Sequence, residues 1–138
     1  MAQDASVLAG LLARRIKRAE KHIATAESCT GGMIASALTD IQGASRWFSQ
    51  GWVTYSNESK IKQLGVDESI FVPDEGSAGA VSPEVAEAMA IGAAKKSGAD
   101  LTISVTGIAG PTGSTESKEV GLVWVGIYLN GEVTTKSA

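Results

Sequence analysis

The chain has 138 residues and 43% hydrophobic content, enough for one domain with a real core and too little for two. Twelve Lys and Arg stand against fifteen Asp and Glu, so the formal net charge is -3 and no basic face suits the chain to nucleic acid. There is no apolar run long enough to span a membrane and no apolar secretory stretch at the N-terminus, and the single cysteine, Cys29, fits a reducing compartment, so a cytoplasmic protein is expected.

From Asp4 to about Lys21, Val7, Leu8, Leu11, Leu12 and Ile16 recur at three- and four-residue steps, which predicts an amphipathic helix capped by Asp4 or Ser6. Arg14, Arg15, Lys17, Arg18 and Lys21 mark its solvated side. The apolar run Ile23 to Ala26 predicts a strand that stops at Glu27-Ser28-Cys29-Thr30-Gly31-Gly32. Apolar residues then resume with helical spacing at Met33, Ile34, Ala37 and Leu38, so strand, tight polar loop and helix start follow in order. Gly43 to Phe48 reads as a turn, and Gly51 to Tyr55 holds the strand formers Trp52, Val53, Thr54 and Tyr55.

Ser56 or Asn57 caps a short helix through Leu64, with Gly65 as its left-handed stop. Residues 66 to 80, with Pro73, Asp74, Gly76 and Gly79, read as a long surface loop. Ser82-Pro83-Glu84 opens a helix to about Lys96, stopped by Gly98. Leu101 to Thr106 is a strand rich in β-branched residues, leading into the glycine-rich loop Thr106 to Pro111, which extends to Glu119. Leu122 to Leu129 is a further strand, and Asn130-Gly131 is a type I′ hairpin signal leading into Glu132 to Ser137. This order predicts a single-domain, layered α/β/α sandwich with a mixed sheet and a C-terminal β-hairpin.

Ligands of such sheets sit beyond the carboxyl ends of strands. Glu27 to Gly32, Tyr55 to Lys60 and Thr106 to Pro111 meet that description. If their strands are neighbours, they bring together a hydroxyl nucleophile, a lysine, a tyrosine and several backbone donors. The only histidine, His22, precedes the first strand and reads as a surface or packing residue. A lysine whose charge is disfavoured by burial can serve as the base instead, which makes Lys60 the candidate; a solvated helix lysine is the bland alternative. Tyr55 either passes a proton or packs at a strand end, and Cys29 competes with Ser28 as nucleophile or simply lines the loop. No Cys and His spacing suits a metal, and neither metal nor cofactor is expected.

The segments Thr25 to Gly32, Val53 to Lys60 with Leu64-Gly65-Val66, Gly79-Ala80-Val81-Ser82 and Thr106 to Pro111 together resemble the CinA C-terminal domain family. Its members include nicotinamide mononucleotide deamidases of the PncC type. The resemblance covers nearly the whole chain. It implies hydrolysis of the carboxamide of nicotinamide mononucleotide to nicotinic acid mononucleotide and ammonia, with Ser28 as nucleophile assisted by Lys60 and Tyr55. Backbone N–H groups near Thr30 to Gly32 would hold the oxyanion, and Tyr55 would relay a proton to the departing ammonia. Glu27, Thr30, Gly31, Gly32 and Asn57 are expected to touch the nucleotide. Thr106, Gly107 and Gly110 would let backbone approach its ribose phosphate.

Family members continue past Ala138 with a basic segment and a further helix, so residues 1–138 are expected to be either a naturally short amidohydrolase domain or a fragment of one. The loop between Val66 and Gly79 is also slightly long for the family. Family behaviour suggests a homodimer, for which Trp47, Phe48 and Trp52, taken as exposed, are reasonable interface residues. The competing function is a non-catalytic nucleotide-binding or regulatory module; a thiol hydrolase using Cys29 is a third.

Overall fold

The computed structural model describes residues 5–71, 79–107 and 122–138. In chain order the elements are α1 (Ala5–Ala19), β1 (Ile23–Glu27), α2 (Met33–Thr39), β2 (Phe48–Val53), α3 (Asn57–Leu64), α4 (Pro83–Ser97), β3 (Leu101–Gly107), β4 (Val123–Leu129) and β5 (Glu132–Ser137). Short 3-10 turns occupy Ala44–Arg46 and Glu68–Phe71. One five-stranded sheet runs in the order β2-β1-β3-β4-β5. β1 is parallel to both β2 and β3, while β4 and β5 add in antiparallel fashion, so the sheet is mixed, as expected.

β1 is buried along its whole length, the mark of a central parallel strand covered on both faces. One face is closed by α1 and α2 around Ala9, Ala13, Ile16, Ile23, Leu38, Trp47 and Leu101. The other is closed by α3 and α4 around Ala26, Leu64, Val66, Val85, Met89 and Ala93. Helices following β1 and β2 therefore leave to opposite faces, which opens a crevice at the carboxyl ends of these two neighbours.

Local signals set the helix limits. Ser56 caps α3 by accepting from the Ser59 N–H at 3.0 Å, and Gly65 ends it at φ 72°. Ser82 caps α4 through the Val85 N–H at 3.2 Å, Pro83 follows, and Gly98 closes it at φ 74°. Asn130 and Gly131, with φ 48° and 92°, make the β4–β5 turn.

Three expectations need correction. β2 begins at Phe48 and ends at Val53 rather than spanning Gly51 to Tyr55, because its register follows β1, with Ile23 opposite Phe48 and Glu27 opposite Val53. Trp47 is only 1% exposed, packed in the α1/α2 core behind the 3-10 turn, so it is no surface anchor; Phe48 and Trp52 are half-buried. On α1 the residues that reach the core are Ala9, Ala13 and Ile16, with Leu12 half-buried, while Val7, Leu8 and Leu11 stay about half exposed.

α4 is joined to the sheet by close contacts and by hydroxyls. Its Ala86, Ala90 and Ala93 are fully buried. Thr102 and Ser104 of β3 donate to the α4 carbonyls of Ala90 and Ala86 at 2.7 and 2.6 Å, and Thr106 donates to the Ala80 carbonyl at 2.8 Å. A Cβ at Gly92 would overlap the Leu64 carbonyl, so glycine alone lets α3 and α4 approach this closely.

Candidate active site

Ser28 is the first residue after β1, and its N–H donates to the Val105 carbonyl at 2.9 Å, which continues the sheet pairing past the strand end. Its hydroxyl turns toward the β2 side and donates to the Tyr55 carbonyl at 3.4 Å. On the β2 side, Thr54 and Tyr55 turn the chain into α3, whose first turns carry Lys60. Lys60 Nζ lies 2.8 Å from Ser28 Oγ, 2.9 Å from the Thr54 carbonyl and 3.2 Å from the Tyr55 carbonyl.

Both partners are withdrawn from water, with Lys60 1% and Ser28 6% exposed. Burial lowers the Lys60 pKa from 10.5 to about 8, because the ammonium loses hydration that the three oxygens only partly replace. As a neutral amine, Lys60 has two N–H bonds and one lone pair. The two carbonyls suit the two N–H bonds, which leaves the lone pair for the Ser28 hydroxyl once its proton turns from the Tyr55 carbonyl, 3.4 Å away. This is the orientation a general base requires.

Cys29 is half-buried, and burial raises its thiol above 9.0 against the pull of the nearby Lys60 charge and of the Cys29 and Thr30 N–H groups. Cys29 is thus kept in its neutral form, whereas Ser28 has Lys60 Nζ 2.8 Å from its Oγ to take its proton, so Ser28 is the better placed of the two neighbours.

Gly31 and Gly32, at φ 60° and 105°, turn the chain from β1 into α2. The donors differ from the expected set. The Gly31 N–H is taken by the Ser28 carbonyl at 3.0 Å and the Gly32 N–H by Glu27 Oε1 at 3.2 Å. The Cys29 and Thr30 N–H groups, by contrast, have no hydrogen-bond partner among the described residues beyond the thiol of Cys29.

Other expected site residues are placed as follows. Tyr55 contributes its carbonyl; its side chain is 68% exposed, and its phenol makes no hydrogen bond to Ser28 or Lys60. Glu27 is fully buried, with its carboxylate turned into the start of α2. The Thr30 hydroxyl donates to that same carboxylate at 2.6 Å. Asn57 is exposed in the first turn of α3. The Thr106 hydroxyl is engaged with Ala80, and a Cβ at Gly107 would lie 2.6 Å from the Leu122 carbonyl, so this glycine admits the neighbouring β4 strand. Gly110 lies outside the described residues, as does most of its loop. The Thr54 and Tyr55 carbonyls that accept from Lys60 are main-chain atoms and carry no residue signature in the sequence.

Fold and crevice together define a three-layer α/β domain with a buried serine and lysine paired at a strand switch point. The chain belongs to the CinA C-terminal domain family, whose sequence model matches residues 5–138. It is 54% identical over 115 residues to a CinA-like protein of Chloroherpeton thalassium, an alignment that spans 83% of this chain and 26% of that protein. The chain thus spans about a quarter of that relative's length. It is also 49% identical over 120 residues to the nicotinamide-nucleotide amidohydrolase PncC of Pseudomonas putida, which covers 87% of this chain and 72% of that enzyme. In three dimensions it matches the competence/damage inducible protein CihA of Agrobacterium tumefaciens with TM-score 0.90 and 40% identity, over 99% of this chain and 81% of the other. The α/β fold with its mixed sheet is therefore that of the CinA superfamily.

Proposed function

We propose that this domain hydrolyses the carboxamide of nicotinamide mononucleotide to nicotinic acid mononucleotide and ammonia, as the name of the Pseudomonas putida relative suggests. The observation that carries this reading is the 2.8 Å contact between Lys60 Nζ and Ser28 Oγ, both buried. Neutral Lys60 takes the Ser28 proton as Oγ attacks the carboxamide carbon. The oxyanion that forms is met by the N–H groups of Cys29 and Thr30. As the C–N bond breaks, the Lys60 ammonium returns its proton to the leaving nitrogen, and ammonia departs. Lys60 then accepts a proton from water, whose oxygen attacks the acyl ester, and gives it to Ser28 as the acid leaves. Because Lys60 serves as both base and acid, the Tyr55 phenol has no step to perform.

The test is ammonia release from nicotinamide mononucleotide by this chain and by its Ser28→Ala variant. Release by the parent that Ser28→Ala abolishes supports the proposal, and binding without release by the parent refutes it. The latter result would favour a nucleotide-binding or regulatory module, a reading that draws on the CinA-like name of the Chloroherpeton thalassium relative. The same proposal sets the protein in the cytoplasm as a homodimer. Among the described residues no helix is long and apolar enough to cross a membrane. Light scattering on the purified protein tests the dimer.

A further inference from the structure

The start of α2 presents the usual unpaired N–H groups of a helix N-terminus, a natural place for an anion. Here those groups are already occupied. Glu27 Oε1 accepts from the Thr30 hydroxyl at 2.6 Å, the Ile34 N–H at 3.0 Å and the Gly32 N–H at 3.2 Å, while Oε2 accepts from the Ala35 N–H at 2.9 Å. The Met33 N–H goes to the Thr30 carbonyl at 3.1 Å. No donor in this turn is left for a substrate carboxylate or phosphate. Among the described residues of this loop, the Cys29 and Thr30 N–H groups, next to Ser28, are the ones that no oxygen occupies.

Glu27 also reaches the other half of the site. Its main-chain carbonyl accepts the Thr54 N–H at 2.8 Å, and the Thr54 carbonyl is one of the two that orient Lys60. One fully buried residue therefore fixes the serine loop through its side chain and one of the lysine's two carbonyl acceptors through its backbone.

We propose that Glu27 is a positioning residue: its carboxylate saturates the α2 donors and ties down Thr30, leaving the Cys29 and Thr30 N–H groups as the oxyanion site for Ser28. This rests on the reading of Ser28 as nucleophile. Gln at this position has nearly the same volume but only one acceptor oxygen, so its amide nitrogen must face a donor of α2. The serine loop then shifts while the dyad's own atoms are unchanged.

The experiment compares Glu27→Gln, Thr30→Val and Thr30→Ser with the parent chain. Two rates are read: amide hydrolysis of nicotinamide mononucleotide, and labelling of Ser28 by a fluorophosphonate, in which Oγ bonds to phosphorus and fluoride leaves. Glu27→Gln lowers kcat and the labelling rate by about a hundredfold, the scale of a lost oxyanion donor, with KM within about threefold. The pH inflection set by Lys60 stays in place. Thr30→Val loses about tenfold on both rates, and Thr30→Ser, which keeps the hydroxyl, recovers most of that loss.

Unchanged labelling in Glu27→Gln overturns the proposal, as does a loss accompanied by a displaced pH inflection, which would mean action through Lys60. If Glu27→Gln does not fold, the Thr30 pair decides: Thr30→Val equal to the parent overturns the proposal. A parent labelled at Ser28 that releases no ammonia refutes the substrate alone, and the labelling ratios still judge Glu27. A parent not labelled at Ser28 overturns both.

Discussion

Replacing Lys60 by Met removes the ammonium while keeping most of the buried stem, and it separates what the lysine does for chemistry from what it costs the fold. The drop in its pKa from 10.5 to about 8 corresponds to about 3 kcal/mol of destabilisation wherever the folded state must hold the charge. The sign follows from proton counting. Below about pH 8 both folded and unfolded chains carry the proton and the full cost is felt; between about 8 and 10.5 the unfolded chain binds more protons, so stability rises with pH. From pH 7 to pH 10 the parent should therefore gain roughly 2 to 3 kcal/mol relative to Lys60→Met, or roughly 8 °C in Tm for a domain of this size. Urea or thermal unfolding of both proteins at the two pH values measures it, and groups that titrate in both cancel in the difference. Turnover is lost in the variant at every pH. If the relative stability does not change between pH 7 and pH 10, Lys60 is not held with a depressed pKa, and the neutral-base mechanism fails with it.

For the same reason kcat/KM of the parent rises with pH and levels off above about 8, the value at which Lys60 becomes neutral; a flat profile from pH 6 to pH 9 contradicts a lysine base. Ser28→Ala abolishes ammonia release with an unchanged unfolding curve, whereas Cys29→Ala keeps substantial activity, and the reverse pattern would move the nucleophile to the thiol. Tyr55→Phe costs kcat less than about threefold, because the residue acts through its carbonyl; a loss of about a hundredfold would restore the phenol as a proton relay. Gly92→Ala destabilises by about 1 to 3 kcal/mol in urea unfolding, since its Cβ meets the Leu64 backbone and cannot be relieved by a side-chain rotation.

How legible each part was depends on how local its cause is. α3 and α4 were readable to within a residue because Ser56, Gly65, Ser82, Pro83 and Gly98 act on backbone groups a few positions away. β2 was misplaced because its extent is set by pairing with β1, far off in sequence, and because Phe48 to Gln50 lack the composition of a strand. Trp47 looked like a surface anchor because nothing in a turn-like sequence announces that the turn folds inward. Within the crevice, the Ser28 and Lys60 side chains could be singled out by chemistry and by resemblance. The resemblance implies that Glu27 meets ligand; its four bonds to the α2 start emerge only once the chain is folded. The oxyanion donors expected near Thr30 to Gly32 differ likewise, because the folded turn itself uses the Gly31 and Gly32 N–H groups.

Three of the residues that α4 buries against the sheet are alanines, Ala86, Ala90 and Ala93, beside the larger Val85 and Met89, and alanine gives a helix little to keep it from sliding. Thr102 and Ser104 answer this with a fine scale. Two strand residues advance about 6.6 Å and four helix residues about 6 Å, so both hydroxyls meet carbonyls at one setting, and a slip of an ångström or two would strand them at about 1 to 3 kcal/mol apiece. That scale repeats with each turn and could not by itself reject a jump of four residues. Gly92 is the coarse scale: such a jump would bring Ala88 or Lys96 against the Leu64 carbonyl, where even a methyl group does not fit. Together they leave α4 a single longitudinal setting, and with it a fixed place for the Ala80 carbonyl that receives Thr106 at the sheet's working end.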